Sequence, residues 1–159
     1  MNVRILTVSR RQPDWINAGF ETYARRLQSV MPLELIEINP VERRGQESER
    51  QIDQCREQEA QKIRSLCRQG DWIVALDERG KHFDTETLAK FVGRLRDEAR
   101  SPVFVIGGAD GLHADFLTEA HQRMSLSALT LPHGFVRVML AEALYRAVSL
   151  LNNHPYHRA

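Results

Sequence analysis

Lysine is scarce in this 159-residue chain: of 22 basic residues only Lys62, Lys81 and Lys90 are lysines, and the rest are arginine. Cysteine is scarcer. Cys55 and Cys67 stand twelve apart in a charged, helix-like segment, a spacing that suits neither a CxxC redox pair nor a zinc site, so unpaired thiols are expected. No apolar run approaches the ~20 residues of a membrane span. Residues 1–20 lack the basic start and continuous apolar centre of an export signal, so a cytoplasmic protein with no membrane contact is expected. Excess charge is missing as well. A net charge of +1 gives no whole-molecule field to draw in nucleic acid, and any such contact must come from local patches. The pairs Arg10-Arg11, Arg25-Arg26 and Arg43-Arg44 are the candidates, because guanidinium groups suit bidentate phosphate contacts and base stacking.

Two common nucleotide signatures are also missing. The first strand, Val3–Val8, runs into Ser9-Arg10-Arg11-Gln12-Pro13 with no glycine for close approach to a pyrophosphate, and no GxxxxGK[ST] loop occurs. The six histidines show no metal-ligand spacing, and neither a serine–histidine–acid triad nor a carboxylate pair can be assigned. An enzyme without these needs a substrate that already carries its activation, such as a sulfonium methyl donor, and no metal is expected.

What is present is an alternation of strand and helix in one domain over residues 1–159. Strands are expected at Val3–Val8, Leu33–Ile38, Trp72–Leu76, Val103–Ile106 and, briefly, Leu126–Ser127. Between them, Trp15, Ile16, Phe20, Tyr23, Leu27 and Val30 form one buried helical stripe. A charged helix is expected over 47–69 with a salt-bridged solvent face, a third is striped by Leu88, Phe91, Val92 and Leu95, and a short one lies near 115–122. The last helix, Phe135–Leu151, is apolar around more than half its circumference, which calls for cover on two sides: its own sheet and a second subunit. The fold class is therefore α/β, with a mostly parallel sheet carrying helices on both faces.

In such sheets ligands sit beyond the carboxyl ends of the strands. The turns to inspect are Asp77–Lys81, Gly107–Gly111 and Ser127–Gly134. Alone, GGADG reads equally as a plain turn or as a place where main-chain groups touch a flat heterocycle. The stretch from Ser125 to His133 carries no charge before its histidine and alternates small polar with aliphatic residues. That suits an adenine and a methionine chain, or an ordinary buried edge strand. Glu142 and Arg146 are four apart and can pair on the surface, or Arg146 can face an anionic or nucleobase substrate. His154-Pro155-Tyr156-His157-Arg158 combines ring faces, titratable imidazoles and a phosphate fork.

Taken in order, VRILTVSRRQPDW, LELIEI, ALDERGK, VFVIGGADGL, LSALTLPH, VRVMLAEALYRA and NHPYHR resemble the RlmH family of SPOUT-class methyltransferases over essentially the whole chain. The resemblance implies a C-terminal trefoil knot and S-adenosylmethionine as methyl donor. It implies methylation at N3 of a pseudouridine in 23S rRNA, on assembled ribosomes rather than DNA, by a homodimer. By motif position the cofactor contacts fall on Leu76, Gly107, Gly108, Leu126, Ser127, Ala128, Leu129, Thr130 and Leu131. For catalysis, His154, Tyr156 and His157 are candidate bases, and Arg146 and Arg158 candidate stabilisers of charge on the uracil carbonyls or grips for a phosphate. The tail of one subunit is expected to complete the other's site. Two other readings stay open: an RNA- or ribosome-binding factor without cofactor affinity, and a nucleotide-dependent enzyme of flavodoxin-like topology.

Overall fold

The computed structural model describes residues 1–158. In chain order it has β1 (Val3–Val8), α1 (Asp14–Leu27), β2 (Leu33–Ile38), α2 (Glu49–Leu66), β3 (Asp71–His82) and α3 (Thr85–Asp97). There follow β4 (Ser101–Ile106), α4 (Ala114–Glu119), β5 (Gln122–Ser125), α5 (His133–Leu151) and a closing 3-10 turn at Pro155–Arg158. The strands form one sheet in the order β2-β1-β4-β3-β5, and every neighbouring pair is parallel.

The period-two alternation of side chains splits the apolar strand residues between two layers. Val3 and Ile5 of β1 and Phe104 and Ile106 of β4 face one core, which α1, α3 and α5 close with Phe20, Leu27, Leu88, Leu95, Leu140 and Leu144. Leu6, Val8, Val103 and Val105 face the other, closed by Ala60 and Ile63 of α2 and Phe116 of α4. Both faces are thus covered, as an all-parallel sheet requires. No helix among the described residues is long and apolar enough to cross a membrane.

Local chemistry sets the helix starts. The Ser48 hydroxyl accepts from the Gln51 amide while the Ser48 amide donates to Gln51 Oε1, a capping box that starts α2. The Asp84 carboxylate accepts from the Thr87 amide at 2.7 Å and starts α3.

Four details differ from the sequence reading. Trp15 and Val30 are exposed, at 64% and 51%, so the α1 stripe is carried by Ile16, Phe20, Ala24 and Leu27, with Tyr23 half-buried beside them. The last strand is Gln122–Ser125 rather than Leu126–Ser127: as an edge strand it needs few apolar residues, and only Met124 and Ser125 are buried. In consequence α4 ends at Glu119 instead of reaching 122. Third, β3 does not stop at Leu76. Residues 77–80 bulge out, and Lys81 and His82 rejoin the sheet against Met124 and Ser125. Gly80 permits this, since a β-carbon there would stand 2.7 Å from the Met124 nitrogen. Finally, the α2 face is not wholly solvated, because Glu59 is buried.

Candidate active site

Past the carboxyl ends of β3, β4 and β5 lies a cleft of about 490 Å³, within the usual range for small-molecule sites. Three segments wall it: the bulge after Leu76, the glycine turn from Gly107 to Leu112, and the strap from Leu126 to His133. These are the turns the sequence singles out. Of the nine residues assigned to the cofactor, Leu76, Gly107, Gly108, Leu126, Ser127, Leu129, Thr130 and Leu131 line the cleft. Ala128 does not. The Ser127 hydroxyl accepts from the Leu129 amide at 3.0 Å, and the tight turn this closes leaves Ala128 facing solvent.

Gly107 is where the turn tolerates no side chain. A β-carbon would sit 2.7 Å from the Gly111 carbonyl carbon and 3.0 Å from the Leu112 nitrogen. Across the cleft, Thr130 donates to Glu78 at 2.9 Å and ties the strap to the β3 bulge. Asp77, Glu78 and Asp110 stand on the wall beside Arg56 and Arg79, while Leu76, Ile106, Leu126 and Leu131 supply apolar surface. Such a lining fits a ligand with both an apolar body and charged groups. Within the turns singled out from the sequence, Asp77, Glu78 and Asp110 carry no local mark, because a solvated carboxylate is ordinary in a turn.

The glycine turn is anchored from the α2 side. Arg43 holds the buried Glu59 by Nη1 at 2.5 Å and Nη2 at 3.1 Å, and reaches Asp110 by Nε at 3.1 Å. Its bond to Glu59 pushes the guanidinium's pKa further up, so it stays charged. Replacing Arg43 by Met would leave Glu59 buried with no cation beside it. We expect a loss of about 2–3 kcal/mol in unfolding free energy, below the range for fully buried pairs because Arg43 is itself one-fifth exposed. Urea denaturation checks this, and an unchanged midpoint would contradict it.

The tail residues gather elsewhere. Tyr156 donates its hydroxyl to Glu142 Oε1 at 3.1 Å. Arg146 donates to the same oxygen by Nε at 2.9 Å and Nη2 at 2.7 Å, and its guanidinium lies 4.9 Å from the Tyr156 ring centroid. Tyr145 and Tyr156 pack at 4.5 Å, with Tyr23 of α1 at 6.3 Å from Tyr145. Burial, then hydrogen bonding to Tyr23 and Glu142, pushes the Tyr156 hydroxyl up to about 12, so it is protonated at neutral pH. His154 accepts the Tyr156 amide on Nδ1 at 3.3 Å, whereas His157 Nδ1 is buried and has no partner among the described residues. Arg158 is exposed. The Glu142–Arg146 pair is therefore not a bare surface bridge; it is the floor of the tail cluster.

Cleft and cluster occupy opposite ends of α5. His133 and Val136 line the first, and Arg146 stands thirteen residues after His133, about 20 Å further along the helix axis. Within one chain they do not meet. Cys55 and Cys67 are unpaired and half-buried.

A parallel α/β sheet with a cleft beyond its strand ends, walled by a glycine turn and an uncharged strap, defines an α/β protein with a small-molecule site at the place where such sheets bind their ligands. The chain belongs to the SPOUT methyltransferase family, whose profile, described as predicted SPOUT methyltransferase, matches residues 1–157. It is similar along its whole length to proteins named ribosomal RNA large subunit methyltransferase H. It is 45% identical over 159 residues to the one from Nitrosomonas eutropha, with all of both chains covered. The Burkholderia ambifaria protein is likewise 45% identical, with full coverage of both. The Paraburkholderia phymatum protein is 44% identical over 158 residues, covering 99% of each. Among solved structures, a probable methylase family protein from Haemophilus influenzae matches 97% of this chain and 69% of its own. Its TM-score is 0.55 at 14% identity, which is agreement of fold. The chain is thus an S-adenosylmethionine-dependent methyltransferase.

Proposed function

We propose that this chain methylates N3 of a pseudouridine in 23S ribosomal RNA on assembled ribosomes. The single observation that carries the reading is the full-length similarity to proteins named for methylating large-subunit ribosomal RNA. When bound, S-adenosylmethionine supplies a methyl group made electrophilic by its cationic sulfur. Leu76, Gly107, Gly108 and the strap from Leu126 to Leu131 are the residues proposed to hold it. The wall supports this assignment: Leu76, Ile106, Leu126 and Leu131 give apolar surface for an adenosine, and the charged residues Arg56, Asp77, Glu78 and Arg79 suit the zwitterionic end of a methionine chain. The family's trefoil knot is taken as the path of the final segment. Support comes from α5 returning to pack on α1 and α3 after β5 has gone to the sheet edge.

The target nucleotide is placed at the tail cluster. For N3 to accept a methyl group its proton must leave. Tyr156, protonated and bonded to Glu142, is placed to take that proton on its oxygen while passing its own to Glu142. Arg146 orients Glu142, and with Arg158 offsets negative charge developing on the uracil carbonyls. His154 and His157 are assigned to the rim, where they border the base. As cleft and cluster sit at opposite ends of α5, a working site needs the cleft of one subunit and the tail of another, so the chain acts as a homodimer. The half-buried row Val138, Met139, Glu142, Tyr145 and Arg146 supports α5 as the shared face.

Offering labelled S-adenosylmethionine with intact ribosomes, free subunits or naked RNA tests the reading. Label is expected on ribosomes and at most weakly on naked RNA; equal labelling of both would overturn action on the assembled particle. Calorimetry with the cofactor alone separates this enzyme from a pure ribosome-binding factor, which would give no heat.

A further inference from the structure

The arginine pair Arg25-Arg26 is split by the structure. Arg25 bonds to Glu21 one turn earlier on α1 at 3.4 Å, an ordinary exposed helix pair. Arg26 turns to the aromatic rings instead. Its guanidinium carbon lies 5.5 Å from the Tyr23 centroid, 5.5 Å from that of Tyr145 and 5.8 Å from that of Tyr156. No carboxylate stands within ion-pairing distance of it among the described residues, and it is exposed. The two cations of the cluster therefore differ. Arg146 is bonded to Glu142, whereas among the described residues the charge of Arg26 meets ring faces and no carboxylate.

Ring faces attract a guanidinium but accept none of its N–H bonds in the manner of an oxygen, so the planar fork keeps its donors for another ligand. Three rings also restrict where the fork can lie, which reduces the freedom lost when it binds. A pre-set fork with uncompensated charge, beside stacking surface, matches the phosphodiester of a nucleotide whose base lies on that surface. We infer that Arg26 is a phosphate-binding residue of the RNA site, gripping the backbone beside the target base. Glu142 and Tyr156 serve the methylation step, and Arg26 serves binding. This rests on the reading of the chain as a ribosomal RNA methyltransferase.

The test is ribosome binding and methyl transfer by wild type, Arg26→Gln and Arg26→Lys, across about 50 to 200 mM salt. Loss of one phosphate contact should make the slope of log affinity against log salt shallower by about 0.7–0.9 in Arg26→Gln. The same variant should show KM for RNA raised about tenfold, with kcat at saturating RNA within about twofold. Arg26→Lys should keep the wild-type slope. Since Arg26 is exposed, the melting temperature should hold within about 2 °C in both variants. A wild-type slope in Arg26→Gln, or a fall in kcat without a change in slope, overturns the inference. A change in dimer dissociation in Arg26→Gln at wild-type slope would assign Arg26 to the subunit contact and overturns it too. Wild-type protein that binds ribosomes with the expected salt slopes yet transfers no methyl group would instead overturn the parent reading and support the phosphate contact.

Discussion

Replacing Glu142 by Gln should lower kcat for methyl transfer by about 10³-fold, within the range for loss of a positioned proton acceptor, and leave cofactor affinity within about threefold. The substitution preserves shape and one oxygen but removes the negative charge. That charge holds Arg146 through two bonds and receives the Tyr156 hydroxyl. Without it, Tyr156 has nowhere to send its proton and cannot take the one from N3. Arg146 loses its ion pair with Glu142 in the same step. Tyr156→Phe removes the relay from the other side and should cost a similar factor. The two losses should be far from additive, since each breaks one chain of proton transfer. Single-turnover kinetics with saturating cofactor reads the effect. Normal turnover in Tyr156→Phe and in Arg146→Ala, with the fold intact, would remove the tail cluster from the chemistry.

Gly107→Ala should weaken S-adenosylmethionine binding by about 10²-fold, the scale of effect reached when site geometry shifts by about 1 Å. The reason is steric and local. The added β-carbon meets the main chain of Gly111 and Leu112, and main chain cannot swing aside as a long side chain can. The turn must open, and with it one wall of the cleft. Overpacking of this kind also costs about 1–3 kcal/mol of stability, so the melting temperature should fall as well. Calorimetry with the cofactor separates the two effects when run well below the melting temperature. This variant serves a second purpose. Mixed with Tyr156→Phe, it should recover about a quarter of wild-type activity after subunit exchange, because half the dimers then hold one intact cleft facing one intact tail. No recovery would mean that each subunit builds its site alone.

Much of this arrangement was legible in the sequence, and the failures have physical causes. The bounds of Val3–Val8 and Leu33–Ile38 are legible from sequence: β1 is buried along its whole length and reads as a mainly apolar run, and β2, at the sheet edge, still carries four aliphatic residues in six and follows directly on Pro32. β5 differs from the expected Leu126–Ser127 because Gln122 reads as the end of the short helix expected near 115–122, and a four-residue strand with one aliphatic side chain shows itself only through its pairing with β3. The end of β3 was hidden in the same way: Lys81 and His82 rejoin the sheet through pairing with β5. The cleft was foreseen from its turns, yet its carboxylates were not, since nothing local distinguishes Asp110 from any solvated turn residue. The separation of cleft from tail lies in the length of α5 and emerges only once both ends are placed. Glu142 was read as half of a helix pair; its bond from Tyr156, fourteen residues on, is tertiary and leaves no periodic trace.

The identity of the methylated nucleoside decides whether this protein is a pseudouridine N3-methyltransferase. Ribosomes whose target pseudouridine is not yet methylated would be incubated with the protein and S-adenosylmethionine, and their 23S RNA digested and analysed by mass spectrometry. A single new nucleoside is expected, pseudouridine bearing one methyl group on N3, with its rate of appearance about 10³-fold lower when the Glu142→Gln variant replaces wild type. Methylation at another base or at a ribose hydroxyl, or none in the presence of bound cofactor, would contradict it.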